Sequence, residues 1–373
     1  MKKSIAALLT LLMVLGIFAG CASKEAPAAT AAPEATAAAE IVAEATVPSE
    51  TAAAPASVTV TDDAGRELTV NQPVERVILL DTSPFEIMDA FGKMDLIVGN
   101  HQAIAKNPLY AELKDLPEVA THSEINFEAI AELQPQVVLP SVRAHGVVTD
   151  EEALDGFDIQ DVKLNLRNPD TMRNGITVMG QLFDSQEKAD ELIAFYDKWE
   201  QFIADKVKDI PEEDRVKVFV EYHAGAFKTG APNSRFYSQV ELAGGINIAK
   251  DLTVGDEPEV SAEWVAEMNP DVIIREASGL GYKAEDTAAA KEIYDELMNR
   301  EGLAMTKAVQ DGNVHVVSVD IYSRPGSIVG VSYLAKWFYP EIFAEFDPST
   351  VLQEYYELFH PGKELKGIWT YDE

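Results

Sequence analysis

Two sixteen-residue segments of this chain read alike. INFEAIAELQPQVVLP begins at residue 125 and VSAEWVAEMNPDVIIR at residue 260, 135 residues further on, and they align without a gap. Glu, Ala, Glu, Pro and Val coincide at five of the sixteen positions, and most other positions set apolar against apolar. Each reads as an N-cap (Asn126 or Ser261), a short helix, a proline that stops it, and an apolar strand. Their recurrence implies two similar α/β lobes.

The flanking patterns agree. Around Asp63-Ala64-Gly65 the run VTVTDDAGRELTV alternates apolar and polar residues, which predicts a β-hairpin. Strands are predicted at 77–80, 96–98 and 137–139 in the first half, with helices at 85–91 and 127–133. The second half repeats this with strands at 216–220, 272–274 and 314–319, and helices at 239–243, 262–268, 288–297 and 331–337. Alternation of strand and helix predicts parallel sheets. The fold class is therefore α/β, two Rossmann-like lobes with central parallel sheets joined by one long α-helix.

That helix is DSQEKADELIAFYDKWEQFIADKV, 184–207, with Ala189, Leu192, Ile193, Tyr196, Trp199 and Ile203 on one side. Asp184 followed by Glu187 resembles a capping box, and Pro211 lies just past the far end. About 23 residues at ~1.5 Å each make a rod of roughly 35 Å. A helical connector cannot bend as extended strands can, so small lobe motion is expected. The expected boundaries are 57–168 for the first lobe, 169–210 for the helical connector, and 211–373 for the second lobe. The last of these ends in a helical extension, 347–373, with no role beyond packing.

The amino terminus precedes this body. Lys2 and Lys3, an apolar run over 5–18 and Ala19-Gly20-Cys21 read as a signal peptide, 1–20, ending in a lipobox with lipid on Cys21. Residues 21–56 are nearly all Ala, Pro, Thr, Glu and Ser, the composition of a disordered spacer. The protein is expected outside the cytoplasm, lipid-anchored to the cell membrane. Cys21 is the only cysteine, so no internal disulfide and no thiolate metal site is expected. The formal net charge of −33 argues against nucleic acid as a partner. An anionic ligand would need locally clustered Arg or Lys.

In parallel sheets of this kind ligands sit beyond the carboxyl ends of the strands. The residues placed there are Asp81-Thr82-Ser83, Asn100-His101 and the stretch from Ser141 through Arg143 to His145 in the first lobe. The second lobe offers Tyr222-His223, Arg275-Glu276 and Tyr322-Ser323-Arg324, with Arg235 and Tyr237 just before a helix. The candidate ligand-binding set is Arg143, His145, Tyr222, His223, Arg235, Tyr237, Arg275, Tyr322 and Arg324. Arginine suits a carboxylate, hydroxamate or catecholate because its planar fork stays charged. The tyrosines could stack on a flat macrocycle or ligate iron, and His101, His145 or His223 could cap a metal centre. The six histidines include no HxH and no i, i+4 pair, which disfavours a receptor for a bare metal ion. There is no Walker loop, no G-x-G-x-x-G, no G-x-S-x-G and no H-E-x-x-H. No catalytic residues, no resident metal and no intrinsic cofactor are assigned.

The pieces TDDAGRELTV with PVERVILL, NFEAIAELQPQVVL, VELAGGINIAKD, SAEWVAEMNPDVII and AVQDGNVHVV, in this order behind a lipobox, resemble one family. They are similar to the iron-chelate and vitamin B12 class of ABC-transporter substrate-binding proteins, the class with a helical backbone. They spread over about 57–346; Gln136 stands where that class has Asp before the strand, while Asp271 keeps it. The resemblance implies a monomeric lipoprotein that captures an iron or cobalt chelate between its lobes. A ferric siderophore is the first choice, with haem or a corrinoid such as cobalamin close behind. It further implies delivery to an ABC permease dimer with its ATPases, docked through one acid per lobe, here Glu128 and Glu263. A secreted lipoprotein enzyme, or a surface-binding protein without a transporter partner, is the alternative.

Overall fold

A tight turn carries the first motif. β1 (Ser57–Thr61) and β2 (Glu67–Asn71) pair antiparallel with Thr61 opposite Glu67. The buried carboxylate of Asp62 accepts the backbone N–H of Ala64 and of Arg66, both at 3.0 Å, and Arg66 Nε at 2.9 Å. Gly65 takes φ +76°, a conformation in which a side chain is strained. The computed structural model describes residues 56–372 apart from 122–123, 141–153, 155, 233, 254, 256 and 324, and the backbone alone of Arg235. The expected signal peptide, Cys21 and nearly all of the spacer lie outside the described residues.

Two sheets follow. The first holds β3 (Val77–Leu79), β4 (Ile97–His101), β5 (Glu118–Ala120), β6 (Val137–Leu139) and β7 (Gln160–Asp161), in the order β5-β4-β3-β6-β7 and parallel throughout. The second holds β8 (Lys217–Glu221), β9 (Ile246–Asn247), β10 (Val272–Ala277), β11 (Val314–Ser318) and β12 (Thr370–Tyr371), in the order β9-β8-β10-β11-β12. Only its edge strand β12 runs antiparallel. The run β4-β3-β6-β7 in one lobe thus has its counterpart in β9-β8-β10-β11 in the other. Helices α1 (Ser83–Phe91), α2 (Gln102–Ala105) and α3 (Phe127–Leu133) serve the first lobe. Next come α4 (Pro169–Leu182) and α5 (Gln186–Val207), then α6 (Arg235–Leu242), α7 (Ala262–Met268), α8 (Ala288–Asn299), α9 (Lys307–Gln310), α10 (Val319–Tyr322) and α11 (Ser327–Phe338). Last is α12 (Ser349–Phe359), and none of the described helices is long and apolar enough to cross a membrane.

The repeated segments fold alike in detail. Asn126 accepts the N–H of Ala129 at 3.0 Å to start α3, and Ser261 accepts that of Trp264 at 3.1 Å to start α7. Both helices end in a left-handed residue, Gln134 at φ +47° and Asn269 at φ +46°. A proline then prevents continuation. Gln136 Oε1 accepts the N–H of Glu75 at 2.7 Å, and Asp271 Oδ2 accepts that of Lys217 at 2.9 Å. The amide at 136 therefore does what the carboxylate does at 271: it holds the chain entering the neighbouring strand.

Alternation along the strands sorts the core. Ile78 and Val138 face Ile130 of α3 on one side, and Phe219 and Ile273 face Val265 of α7 on the other lobe's equivalent side. Their neighbours Val77, Leu79, Val137, Val218, Val220 and Ile274 turn the opposite way and join one continuous core with residues of α4, α5, α11 and α12. The lobes thus share an apolar interior.

Between β7 and β8 stand two helices: α5 is the long helix expected at 184–207, and α4 precedes it within the expected helical connector. Asp184 has φ +49° and lies outside the helix; Ser185 occupies the N-cap without a side-chain bond, so no capping box forms. The helices approach closely at Gly180, where an added Cβ would come within 2.7 Å of Ala189 Cβ. Ala189, Leu192, Tyr196 and Ile203 of α5 are buried as the wheel requires, and Phe195 joins them. The carboxyl-terminal extension does more than cover one lobe. α12 packs on α1, α5 and α11, and β12 then closes the edge of the second sheet on β11.

Candidate functional site

At the carboxyl end of β8 stands Glu221, fully buried, and beside it in register on β10 is Arg275. Glu221 accepts the N–H of Phe227 at 2.7 Å and a hydrogen bond from Arg300, and lies 3.5 Å from Arg275 Nε. Arg275 also donates to the carbonyl of Tyr222. Its side chain is 15% exposed, and burial pushes its pKa down against the pull of Glu221. For Arg300 burial acts the same way, but the bonds to Glu296 and Glu221 outweigh it and the pKa is raised. The structure therefore places Arg275 in an internal charge network.

The next residue on β10, Glu276, serves His223. Glu276 Oε2 lies 2.6 Å from His223 Nδ1, with the carboxylate 0% exposed and the imidazole 28% exposed. A buried carboxylate on one ring nitrogen fixes the ring's orientation and leaves Nε2 as the nitrogen that can take a second partner. Tyr222 packs against His223 with ring centroids 4.2 Å apart, and Phe236 backs Tyr222 at 5.4 Å. Tyr322 lies behind Phe236 at 5.9 Å and is fully buried, its carbonyl accepting from Gln239. So Tyr222 and His223 stand at the half-exposed rim, while Tyr322 is part of the wall's foundation.

Tyr237 sits in the first turn of α6, half-exposed, behind the N-cap Ser234. Burial and then Glu241 raise its pKa, an environment that favours phenol over phenolate. Arg235 begins the same helix. Arg143, His145 and Arg324 lie outside the described residues. His101 is buried with Nδ1 accepting from the N–H of Ala103, so it caps α2. Asn100 donates to the carbonyl of Leu113.

The first lobe adds a residue that the sequence reading passed over. Arg167 donates from Nε and Nη2 to Asp81 Oδ1 and Oδ2 at 2.8–3.2 Å, and its Nη2 lies 3.3 Å from Thr82 Oγ1. Asp81 lies two residues beyond β3, the middle strand of the first sheet, so this pair stands at the carboxyl end of that strand. The signal was available only as a strand-end Asp, with no indication of its partner 86 residues away. Glu128 and Glu263 are both exposed on the first turns of α3 and α7, with Glu132 and Glu267 exposed one turn on. The hydrogen bond to its own backbone, then Ser261, lower the pKa of Glu263. Among the described residues no cluster of His, Cys, Asp or Glu could hold a metal ion by itself.

Two lobes of like topology, with polar and aromatic side chains gathered at their strand ends, define a binding protein. The periplasmic binding protein family matches residues 77–318, and the chain belongs to that family. It is 23% identical over 340 residues to the molybdate-binding protein MolA of Haemophilus influenzae, covering 83% of this chain and 92% of that one. It is 26% identical over 269 residues to a cobalamin-binding protein of Halobacterium salinarum, covering 72% and 70%. Among solved structures, the TroA-like periplasmic binding protein FepB of Veillonella parvula superposes with a TM-score of 0.72 at 24% identity, over 84% of this chain and 99% of that one. The helical-backbone, two-lobed fold expected from the sequence is the fold observed.

Proposed function

We propose that this protein is the lipid-anchored receptor of an ABC importer, capturing a metal chelate between its lobes and passing it to a membrane permease without catalysis. The observation that carries the reading is His223 held by Glu276: an oriented imidazole at a strand end, presenting Nε2, is a ligand for a metal that arrives with an open axial position. That chemistry favours a macrocycle, haem or a corrinoid, over a ferric siderophore whose donors already fill the coordination sphere. Arg275, one of the four arginines that favoured a siderophore, is engaged with Glu221. The ordering of ligands is accordingly reversed here. The name of the cobalamin-binding relative agrees with it, while that of the molybdate-binding relative points to a small oxyanion.

The test is retention. Residues 57–373 are mixed separately with haem, cobalamin, a ferric siderophore and molybdate, freed of unbound ligand by gel filtration, and assayed for metal. One equivalent of iron or cobalt in an unaltered chelate supports the receptor. Molybdenum alone contradicts the chelate reading, and a chemically changed ligand points to an enzyme.

A further inference from the structure

We infer that Arg300 is a positioning residue for the metal site: by clasping Glu221 and Phe227 it holds the loop that presents His223. This rests on the receptor reading above. His223 lies in a loop, 222–228, that leaves the carboxyl end of β8 and closes on itself, the N–H of Tyr222 donating to the carbonyl of Lys228 at 2.8 Å. Glu276 orients the imidazole through its ring nitrogen, so the backbone that carries the ring has to be held by other groups. Glu221 does this from inside the lobe. Its carboxylate is 0% exposed and accepts the N–H of Phe227 at 2.7 Å, near the far end of the loop. The same carboxylate accepts a hydrogen bond from Arg300, the residue that ends α8. Arg275 holds the near end, donating to the carbonyl of Tyr222.

Arg300 acts on the loop as well as on Glu221. Its guanidinium lies over the ring of Phe227, 5.2 Å from the centroid, so it meets the loop with a flat face in addition to a charge. Phe227 has φ +59°, a left-handed backbone that a bulky residue takes only where its surroundings impose it. Three contacts impose it here. The N–H is bound to Glu221, the ring is covered by Arg300, and the carbonyl accepts the N–H of Val260 at 3.0 Å. Arg300 is itself anchored, 11% exposed with Nε donating to Glu296 at 2.7 Å. A strained residue in the loop that bears His223, locked by a buried ion pair, sets the imidazole in place before any ligand arrives.

An Arg300 that only balances the charge of Glu221 is the competing explanation, and a double-substitution cycle with His223 separates the two. Dissociation constants for haem, cobalamin and a ferric siderophore are measured on the wild-type protein, on Arg300→Met and Arg300→Lys, and on each of these combined with His223→Ala. Arg300→Met is expected to weaken the binding of haem or cobalamin about tenfold, as loss of an outer-shell partner does. Arg300→Lys keeps a cation against Glu221 but not the flat face on Phe227, and should lose only about threefold. In the His223→Ala background each should cost no more than about twofold, because the loop then has no metal contact to place. The lysine variant decides the matter if the methionine variant does not fold. Equal losses with and without His223, or no loss from either substitution, overturn the inference and leave the receptor reading intact. Wild-type protein that binds the ferric siderophore but neither haem nor cobalamin does the same, since no open metal position is then offered to His223. Binding of none of the three overturns both.

Discussion

His360 Nδ1 lies 2.8 Å from Asp89 Oδ2, which ties the end of α12 to α1 across 271 residues of chain. The same imidazole lies 3.0 Å, through Nε2, from the hydroxyl of Tyr282 in the second lobe, and Lys363 Nζ sits 2.8 Å from Asp89. One turn earlier Tyr355 donates to Glu86 on α1. The carboxyl-terminal extension is therefore a strap. It ends as β12 on the second sheet, yet Tyr355, His360 and Lys363 reach acidic partners on α1 of the first lobe.

Cutting that strap should cost stability more than affinity. His360→Ala opens a cavity, removes the hydrogen bond to the half-buried Tyr282 hydroxyl and deprives Asp89 of a partner, an expected loss of about 2–4 kcal/mol. Thermal unfolding of residues 57–373 measures it; a change in melting temperature no larger than that of a surface substitution would show the network to be dispensable.

The strap should also weaken in acid. Burial holds the His360 imidazole below the ordinary histidine range, against the opposing pull of Asp89. The charged groups facing it are Asp89, Lys363 and Asp320. Tyr110, Tyr282, Tyr355 and Tyr356 close the rest of its surroundings. The unfolded chain takes up this proton near pH ~6.5 while the folded chain resists it, so the unfolded state binds more protons there and stability falls as pH drops. Between about pH 7.5 and about pH 5.5 the wild-type melting temperature should fall more than that of His360→Gln. Parallel curves would contradict this.

Lobe motion should be small. The inner faces of both sheets share one apolar core with α5, α11 and α12, and opening the lobes widely would expose it. Small-angle scattering of the ligand-free and ligand-bound body should superpose. A large compaction on binding would contradict a rigid frame.

Docking should depend on charge at the two repeated helices. Glu128→Arg with Glu263→Arg is expected to abolish chelate uptake into vesicles carrying the permease while leaving the receptor's affinity within about twofold. Loss of affinity in that variant would show instead that these acids serve the site or the fold.

What could be read from the sequence was whatever neighbouring residues determine. α3 and α7 fall at 127–133 and 262–268 as expected, because an N-cap residue and a proline bracket each of them. The buried side of α5 followed from periodicity. Arg275 was misjudged because its partners Glu221 and Tyr222 are brought to it by sheet register, over 50 residues away in sequence. Tyr322 looked like a cleft residue at a strand end, but α10 turns it into the interior behind Phe236. His101 looked like a metal cap and instead caps a helix, since its own backbone supplies the donor two residues on. Arg167 and the strap were missed for the same reason as Arg275: each depends on a partner far away in the chain. The start of α5 lay within two residues of the expected Asp184, while α4 before it had no helix of its own in the sequence reading beyond its place in the helical connector 169–210.

His223, set by Glu276, is the residue proposed to meet the metal of a chelate. Equilibrium titration of residues 57–373 with haem, cobalamin and a ferric siderophore, followed by tryptophan and tyrosine fluorescence, tests it most directly with His223→Ala and Glu276→Gln alongside. The expected wild-type Kd is below about 10 μM for haem or cobalamin, roughly 7 kcal/mol of binding, weakened about 10–100-fold by either substitution. Wild-type affinity unchanged in both variants, or no chelate bound below about 10 μM, would contradict it.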